Sequence, residues 1–223
     1  MWKLYQFTLC PFSRKVRLAL AEKGVAHDLV TALPWAPDEE FDALNHFGRT
    51  PVLHDAERKL TLVDSQSICE YLEETEDRTP LVLGTALQRA EIRKLVALFD
   101  QGFFADVTHP LMHEKMKKRV VLRQAPDSGQ LRQAMKLAHE HLEYIDWLVG
   151  TRRWLAGAQM SLADFAAAAQ ISVADYLGGI DWAGHEEAQG WYRVMKSRPS
   201  FRPLLAEKMD GLPPPRHYAD VNS

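Results

Sequence analysis

Cys10 occupies a position where a thiol could do chemistry. It ends a short apolar segment and directly precedes Pro11, which fits the first position of a helix because its missing N–H costs nothing there. A helix N-terminus lowers the pKa of a thiol and stabilises the thiolate, and the neighbouring Arg14 could add to this effect. If Cys10 is a bystander, Ser13 in the first turn could instead donate a hydrogen bond to a bound thiolate.

Two further positions could bind a ligand. Asp64 and Ser65 precede a helical pattern, and the unpaired N–H groups and dipole at a helix N-terminus favour a carboxylate. Thr50 and Pro51 begin a predicted hairpin strand, where a proline removes a ladder donor and therefore needs a special reason. All of these residues also have structural roles without a ligand, since Asp64 caps its helix in any case and a buried cysteine commonly acts as a plain hydrophobe.

The first third of the chain contains the elements that must position these residues. Apolar and alternating segments predict four strands, and four-residue apolar spacing predicts two helices. In chain order these are strand 2–7, helix 11–23, strand 25–31, strand 49–53, strand 59–63 and a helix that begins after 64. The order β-α-β followed by β-β-α predicts that both halves form one four-stranded sheet.

The rest of the chain is predicted to be helical. Helical apolar spacing covers 86–104, 129–149, 161–172, 185–197 and 200–208. Ser161 with Asp164 three residues later is a carboxylate variant of the capping box. The small side chains of Ala166 to Ala169 predict that this helix lies at the centre of a bundle.

Composition narrows the class of protein. The chain has 223 residues and a formal net charge of −3, which argues against a dedicated nucleic-acid binder. The two cysteines, Cys10 and Cys69, form no CxxC pair, and Cys69 is interpreted as a core residue. The nine histidines make no HExxH set, and Pro110 interrupts His109 and His113, so no metal site is predicted. Neither a signal peptide nor a membrane-spanning apolar run is recognisable, so we expect a cytoplasmic protein.

Two segments look suited to contacting a partner. Trp35 lies in a polar, proline-flanked loop, where it either binds a partner or ligand or folds over the edge of its domain. The chain ends with three consecutive prolines and then apolar residues on a scaffold that favours polyproline II. This tail is interpreted as a docking peptide for another protein, with a strap over the protein's own surface as the alternative. The tail residues predicted to contact a partner are Leu212, His217, Tyr218, Asp220 and Val221.

Four segments in this order and spacing resemble the glutathione S-transferase family over nearly the whole chain. They are 10–17, 45–53, 64–72 and 155–164. The resemblance implies an α+β protein with a thioredoxin-like N-terminal domain (1–76), a linker (77–85), an all-helical C-terminal domain (86–210) and a Pro-rich tail (211–223). Residues 12–24 and 171–182 and the ending after Gly211 also resemble one branch of the family. That branch comprises the alphaproteobacterial division proteins that localise with FtsZ, the tubulin-like GTPase of the division ring.

The resemblance implies roles for the candidate site residues. Asp64 and Ser65 would hold the γ-glutamyl end of glutathione, and the backbone of Thr50 before a cis Pro51 would pair with its cysteinyl part. Cys10 would lie near the ligand sulfur, which suits a mixed disulfide that a second glutathione reduces.

Two interpretations therefore stand. The first is a homodimeric scaffold that binds FtsZ filaments at the division site, with little or no catalysis and no required cofactor. The second is a cytoplasmic glutathione-dependent transferase or thiol-disulfide reductase that uses Cys10. The basic run from Lys115 to Arg123 is interpreted as a solvated helix face that could also attract an acidic partner.

Overall fold

The chain divides into two compact units, Met1–Leu81 and Val82–Ser223, so that the boundary falls within the predicted linker 77–85. The computed structural model describes residues 1–36 and 38–221. Among these residues, none of the helices is both long and apolar enough to cross a membrane.

Within residues 1–36 and 38–81, the N-terminal unit contains a mixed four-stranded sheet and three helices. In chain order its elements are β1 (Trp2–Gln6), α1 (Pro11–Lys23), β2 (His27–Thr31), α2 (Glu39–Leu44), β3 (Val52–Asp55), β4 (Leu60–Val63) and α3 (Ser65–Thr75). The strand order is β2-β1-β3-β4, with β1 parallel to β2 and the other neighbours antiparallel. The predicted single sheet is confirmed, and the third strand begins and ends two to three residues later than the predicted 49–53.

The helix α2 was not predicted from the sequence. It has only six residues, too few to be stable without tertiary contacts. Its Phe41 packs against Tyr5 and Val52 of the sheet, and the rings of Tyr5 and Phe41 stack with centroids 5.7 Å apart. Asp38 caps the helix by accepting a hydrogen bond from the Phe41 N–H at 3.1 Å. Packing against the sheet therefore accounts for this helix better than local pattern does.

The C-terminal unit begins with a long helical segment. Its parts are α4 (Ala86–Ala97), a wider π-helical segment (Leu98–Thr108), the short α5 (His109–Leu111) and a second π-helical segment (Met112–Leu122). The sequence predicted an end near residue 104 and treated Pro110 as an interruption. That prediction was wrong, because the helical backbone runs through Pro110 with wider turns on either side. Wider turns accommodate a residue that cannot complete the ordinary α-helical hydrogen bonds.

Four more helices follow within the described residues. They are α6 (Ser128–Thr151), α7 (Leu162–Tyr176), α8 (Glu186–Ser197) and α9 (Arg202–Ala206). Every residue of α7 is buried, which confirms the predicted central position of the alanine stretch. The predicted capping box is also present. The Asp164 carboxylate accepts from the Ser161 N–H at 2.9 Å, from the Leu155 N–H at 3.1 Å and from the Trp191 indole N–H at 3.0 Å.

Candidate functional site

Cys10 lies at the N-cap of α1 and is only 8% exposed. Its Sγ donates to the carbonyl oxygen of Thr50 at 3.6 Å and accepts from the Ser13 N–H at 3.5 Å. The peptide bond between Thr50 and Pro51 is cis. The fold therefore brings Cys10 and Thr50 together, as the family resemblance implied. Here the two residues contact each other, and the sulfur of Cys10 takes part in both hydrogen bonds.

The polar residues of the first turn of α1 are also enclosed. Ser13 is fully buried, and its hydroxyl oxygen has no hydrogen-bond partner within the described residues. The side chain of Arg14 is fully buried too, and its Nε donates to the Thr8 carbonyl at 2.9 Å. Arg14 therefore fixes the turn that precedes Cys10, a structural role that the sequence did not predict.

Asp64 caps the N-terminus of α3. Its Oδ1 accepts from the backbone N–H groups of Gln66 at 2.9 Å and Ser67 at 3.0 Å. The side chain of Asp64 is exposed, whereas Ser65 is buried beside it. Two of the amides that could hold a ligand carboxylate are thus already occupied by Asp64.

Two of the predicted partner contacts in the tail are buried in their own unit. Tyr218 is fully buried, and its ring meets that of Tyr176 edge-on at 5.1 Å. Its hydroxyl donates to the Leu204 carbonyl at 3.2 Å. Leu212 is also buried, and its carbonyl accepts from the Tyr176 hydroxyl at 2.8 Å. The assignment of Leu212 and Tyr218 as partner anchors is corrected accordingly, since in this conformation their apolar surface is used to fold the tail as a strap.

The other predicted tail residues remain accessible. His217 and Asp220 are exposed and Val221 is half-buried. The Nε2 of His217 lies 2.9 Å from Oδ1 of Asp175, and the Asp220 carbonyl accepts from the Lys196 ammonium at 2.5 Å. The tail therefore presents His217 and Asp220 at the surface while their neighbours hold it in place.

Trp35 is half-buried, and its ring meets that of Phe7 edge-on with centroids 5.3 Å apart. This contact agrees with the alternative in which the loop folds over the edge of its domain. The ring keeps an accessible part that a ligand or partner could still contact. The neighbouring Pro37 lies outside the described residues.

A histidine relay was missed by the sequence. His185 is 1% exposed, with Nδ1 at 2.5 Å from Oδ2 of Asp146 and Nε2 at 2.6 Å from Nδ1 of His139. Local sequence pattern could not predict this contact, because Asp146 and His185 are 39 residues apart. His141 faces elsewhere and contacts Asp106 at 2.9 Å, as its offset from His139 predicted. In the described part of the chain, no group of three or more His, Cys, Asp or Glu side chains could hold a metal ion.

The basic run is only partly a solvated face. The Lys115 ammonium donates to the carbonyls of Leu177 at 2.6 Å and Gly178 at 3.0 Å, and burial lowers its pKa. Lys118 is paired with Glu114 at 2.8 Å. The side chains of Lys117, Arg119 and Arg123 are exposed. Lys115 and Lys118 of the basic run therefore bind groups of the protein itself, and only part of the positive charge faces solvent.

Comparisons with known proteins agree with the fold. The glutathione S-transferase N-terminal domain matches residues 9–75. FtsZ-localized protein A of Caulobacter vibrioides is 45% identical over 98% of this chain and 97% of its own. The solved structure of FzlA from C. crescentus has a TM-score of 0.96 at 44% identity and covers 100% of this chain and 99% of its own.

Two solved glutathione S-transferases extend the comparison. The enzyme from Rhodospirillum rubrum has a TM-score of 0.97 at 48% identity and covers 100% of both chains. The one from Methylobacillus flagellatus, solved with glutathione bound, has a TM-score of 0.76 at 25% identity and covers 92% of this chain and 98% of its own. This chain is similar over nearly its full length to several glutathione S-transferases and has the same fold. It therefore belongs to the glutathione S-transferase family.

Proposed function

We propose that this protein is a scaffold that binds FtsZ and supports bacterial cell division, acting in the cytoplasm at the division site. The observation that carries the proposal is its 45% identity, over almost the whole length of both chains, to a protein named for its localisation with FtsZ. A fold alone does not determine function. The proposal must therefore be tested on the surface residues that would contact FtsZ.

The state of the thiol site supports a role with little catalysis. Cys10 is enclosed by Thr50 and Ser13, and the Ser13 hydroxyl is buried. An activated cysteine usually lies in a partly exposed, electropositive setting. The cap that Asp64 gives to α3 stabilises the fold with or without a ligand.

A glutathione-dependent transferase or thiol-disulfide reductase is the second candidate. It is favoured by the arrangement of Cys10, the cis peptide bond before Pro51 and the exposed Asp64 at a helix N-terminus. The Methylobacillus flagellatus relative carries glutathione on the same fold. In this function Thr50, Pro51, Asp64 and Ser65 would hold glutathione and Cys10 would react with it. Glutathione is a possible ligand in the scaffold as well, and neither function requires another cofactor.

We propose that the scaffold is a homodimer. Phe47, in the loop between α2 and β3, is 80% exposed. In the helical unit, a groove of 310 Å³ lies between the first π-helical segment and α6, and its apolar walls include Leu98, Leu137 and Tyr144. In this family the N-terminal domain of one chain packs on the helical domain of the other. Phe47 of one protomer would then fill the groove of its partner and remove apolar surface from water.

A dimer would present two copies of each partner-binding surface. The residues proposed to contact FtsZ are Trp35, His217, Asp220 and Val221, all of which keep accessible surface. Linking two binding sites in one particle raises avidity without any new contact. A homodimer could therefore bridge neighbouring FtsZ filaments.

The test is co-sedimentation of the purified protein with FtsZ assembled in GTP. Wild type is compared with Arg216→Glu, which reverses an exposed charge directly beside the proposed contact residue His217, and with Arg132→Glu, a matched reversal on α6. We expect wild type and Arg132→Glu to pellet with the filaments and Arg216→Glu to pellet less. A chain ending at Gly211 is a further variant that should not pellet. If wild type stayed in the supernatant, the scaffold function would be rejected in favour of the glutathione-dependent one.

A further inference from the structure

Two charged side chains lie buried beneath the tail. Asp175 belongs to α7 and Lys196 to α8, and each is 1% exposed. Removing a charge from water is costly unless the group is paired and hydrogen-bonded. Burial accordingly raises the pKa of Asp175 and lowers that of Lys196. Neighbouring groups must therefore offset the cost of burying the charges of Asp175 and Lys196.

The tail supplies a partner to each of them. His217 lies 2.9 Å from the Asp175 carboxylate and lowers the pKa of that group, against the effect of burial. The carbonyl oxygen of Asp220 accepts from the Lys196 ammonium at 2.5 Å. The Lys196 ammonium also lies 5.2 Å from the centre of the Tyr192 ring. Lifting the tail would remove a hydrogen-bond partner from both buried charges.

Apolar contacts fix the same segment, residues 212–221, which forms a strap. Tyr218 and Leu212 are buried in the helical unit, and Tyr218 packs on Tyr176. The three prolines restrict the backbone between these two anchors. The strap is thus held at both ends and in its centre, and its exposed residues include Arg216, His217, Ala219 and Asp220.

We infer that Asp175 and Lys196 are positioning residues, which fix the strap so that its outer face forms the surface on which FtsZ docks. This inference rests on the proposed function. Both residues are buried, so they act on the partner only through the strap. A segment ordered in advance loses less conformational entropy on binding than a free peptide does. The strap therefore binds as a folded surface and not as a disordered tail.

The test combines two measurements on the full chain. Hydrogen–deuterium exchange reports the order of the strap, and co-sedimentation over a range of FtsZ concentrations reports affinity. Asp175→Asn removes the buried negative charge with little change in shape, and Lys196→Met replaces the buried cation with an apolar side chain of similar length. Ser172→Ala is the matched control, because it removes a buried polar group of α7 whose hydroxyl donates to Ala169 of the same helix.

We expect faster exchange of the strap amides in Asp175→Asn, by about tenfold or more, with unchanged exchange in α4 and α6. The apparent affinity for FtsZ should fall by at least about fivefold, whereas Ser172→Ala should match wild type in both measurements. Lys196→Met should behave like Asp175→Asn, and it serves as the test if Asp175→Asn does not fold.

Three outcomes would overturn the inference. Faster strap exchange with unchanged FtsZ binding would show that the order of the strap does not matter for docking, and the proposed function would stand. Unchanged strap exchange in both folded variants would show that the buried charges do not fix the strap. Failure of wild type to pellet with FtsZ would remove the proposed function and this inference together.

Discussion

The Sγ of Cys10 and the carbonyl oxygen of Thr50 lie 3.6 Å apart in a hydrogen bond, so two residues implied to bind glutathione contact each other. In the glutathione-dependent function, the ligand sulfur would compete with Thr50 for the thiol of Cys10. The contact therefore separates the two proposed functions, because the scaffold function would leave it intact and glutathione chemistry would disturb it.

Cys10→Ala should leave co-sedimentation with FtsZ unchanged, because Cys10 is buried and distant in sequence from the strap. In the enzyme function, the same change and Asp64→Ala should both abolish glutathione-dependent reduction of a small disulfide. The reductase assay and the pelleting assay are run on the same three preparations. Loss of pelleting in Cys10→Ala would contradict the scaffold interpretation of this residue.

Asp164 should be far more important to stability than Asp64, although both cap helices. The Asp164 carboxylate is fully buried and accepts from Ser161, Leu155 and Trp191, so its removal leaves buried donors without an acceptor. Asp164→Ala should cost about 3–5 kcal/mol, by analogy with breaking a buried charged network. Asp64→Ala at an exposed cap should cost about 1 kcal/mol. Urea unfolding followed by circular dichroism measures both, and equal costs would refute the argument.

Glu114 should make a contribution to the stability of the fold that is lost at acidic pH. Its carboxylate accepts from the Asp127 N–H at 2.6 Å and pairs with Lys118 at 2.8 Å. The Asp127 hydrogen bond, followed by that of Lys118, lowers the pKa of Glu114 below its ordinary value of 4.5. The folded state therefore releases this proton more readily than the unfolded chain. The stabilisation is complete above pH 4.5 and is lost as the pH falls through the lowered value.

The measurement for Glu114 is the midpoint of urea unfolding between pH 7 and pH 3. Glu114→Gln should be less stable than wild type at neutral pH, and the difference should shrink on acidification. The comparison with wild type is essential, because burial raises the pKa of Asp164 and Asp175 and these groups respond in the opposite sense. A difference that stayed constant over the whole range would exclude the pairing of Glu114 as its cause.

His185 should stabilise the docking of α8 on α6. The Asp146 carboxylate accepts from His185 and from the Ala188 N–H at 2.7 Å, in the first turn of α8. His185→Leu leaves Asp146 partly buried without its imidazole partner and should cost about 1–3 kcal/mol. His139→Ala, at the exposed end of the relay, should cost less than about 1 kcal/mol. The two variants are compared by urea unfolding, and the reverse order would show that the exposed histidine carries the interaction.

Local signals in the sequence were enough to predict the sheet, most of the helices and the capping box of α7. The structural features that were not predicted depend on contacts between residues far apart in the chain. The helix α2 exists because Phe41 packs on Tyr5, and the histidine relay joins His185 to α6. The tail shows the same limit, because its apolar residues were predicted to contact a partner protein. Only the structure shows that Tyr218 is buried in the protein's own helical unit.

Phe47→Ser should convert the proposed dimer to a monomer. An 80% exposed phenylalanine contributes nothing to its own protomer's core, so its replacement should leave the unfolding midpoint of the monomer unchanged. Burial of such a ring in a partner's groove would contribute about 1.5–3 kcal/mol per contact, and a symmetric dimer makes the contact twice. Leu33→Ser, at a side chain 40% exposed, is the matched control. Light scattering during gel filtration gives the mass of each variant, and a dimeric Phe47→Ser would place the interface elsewhere. If Phe47→Ser is monomeric but still pellets with FtsZ, then one strap suffices for binding, and bridging of filaments is the property that requires the dimer.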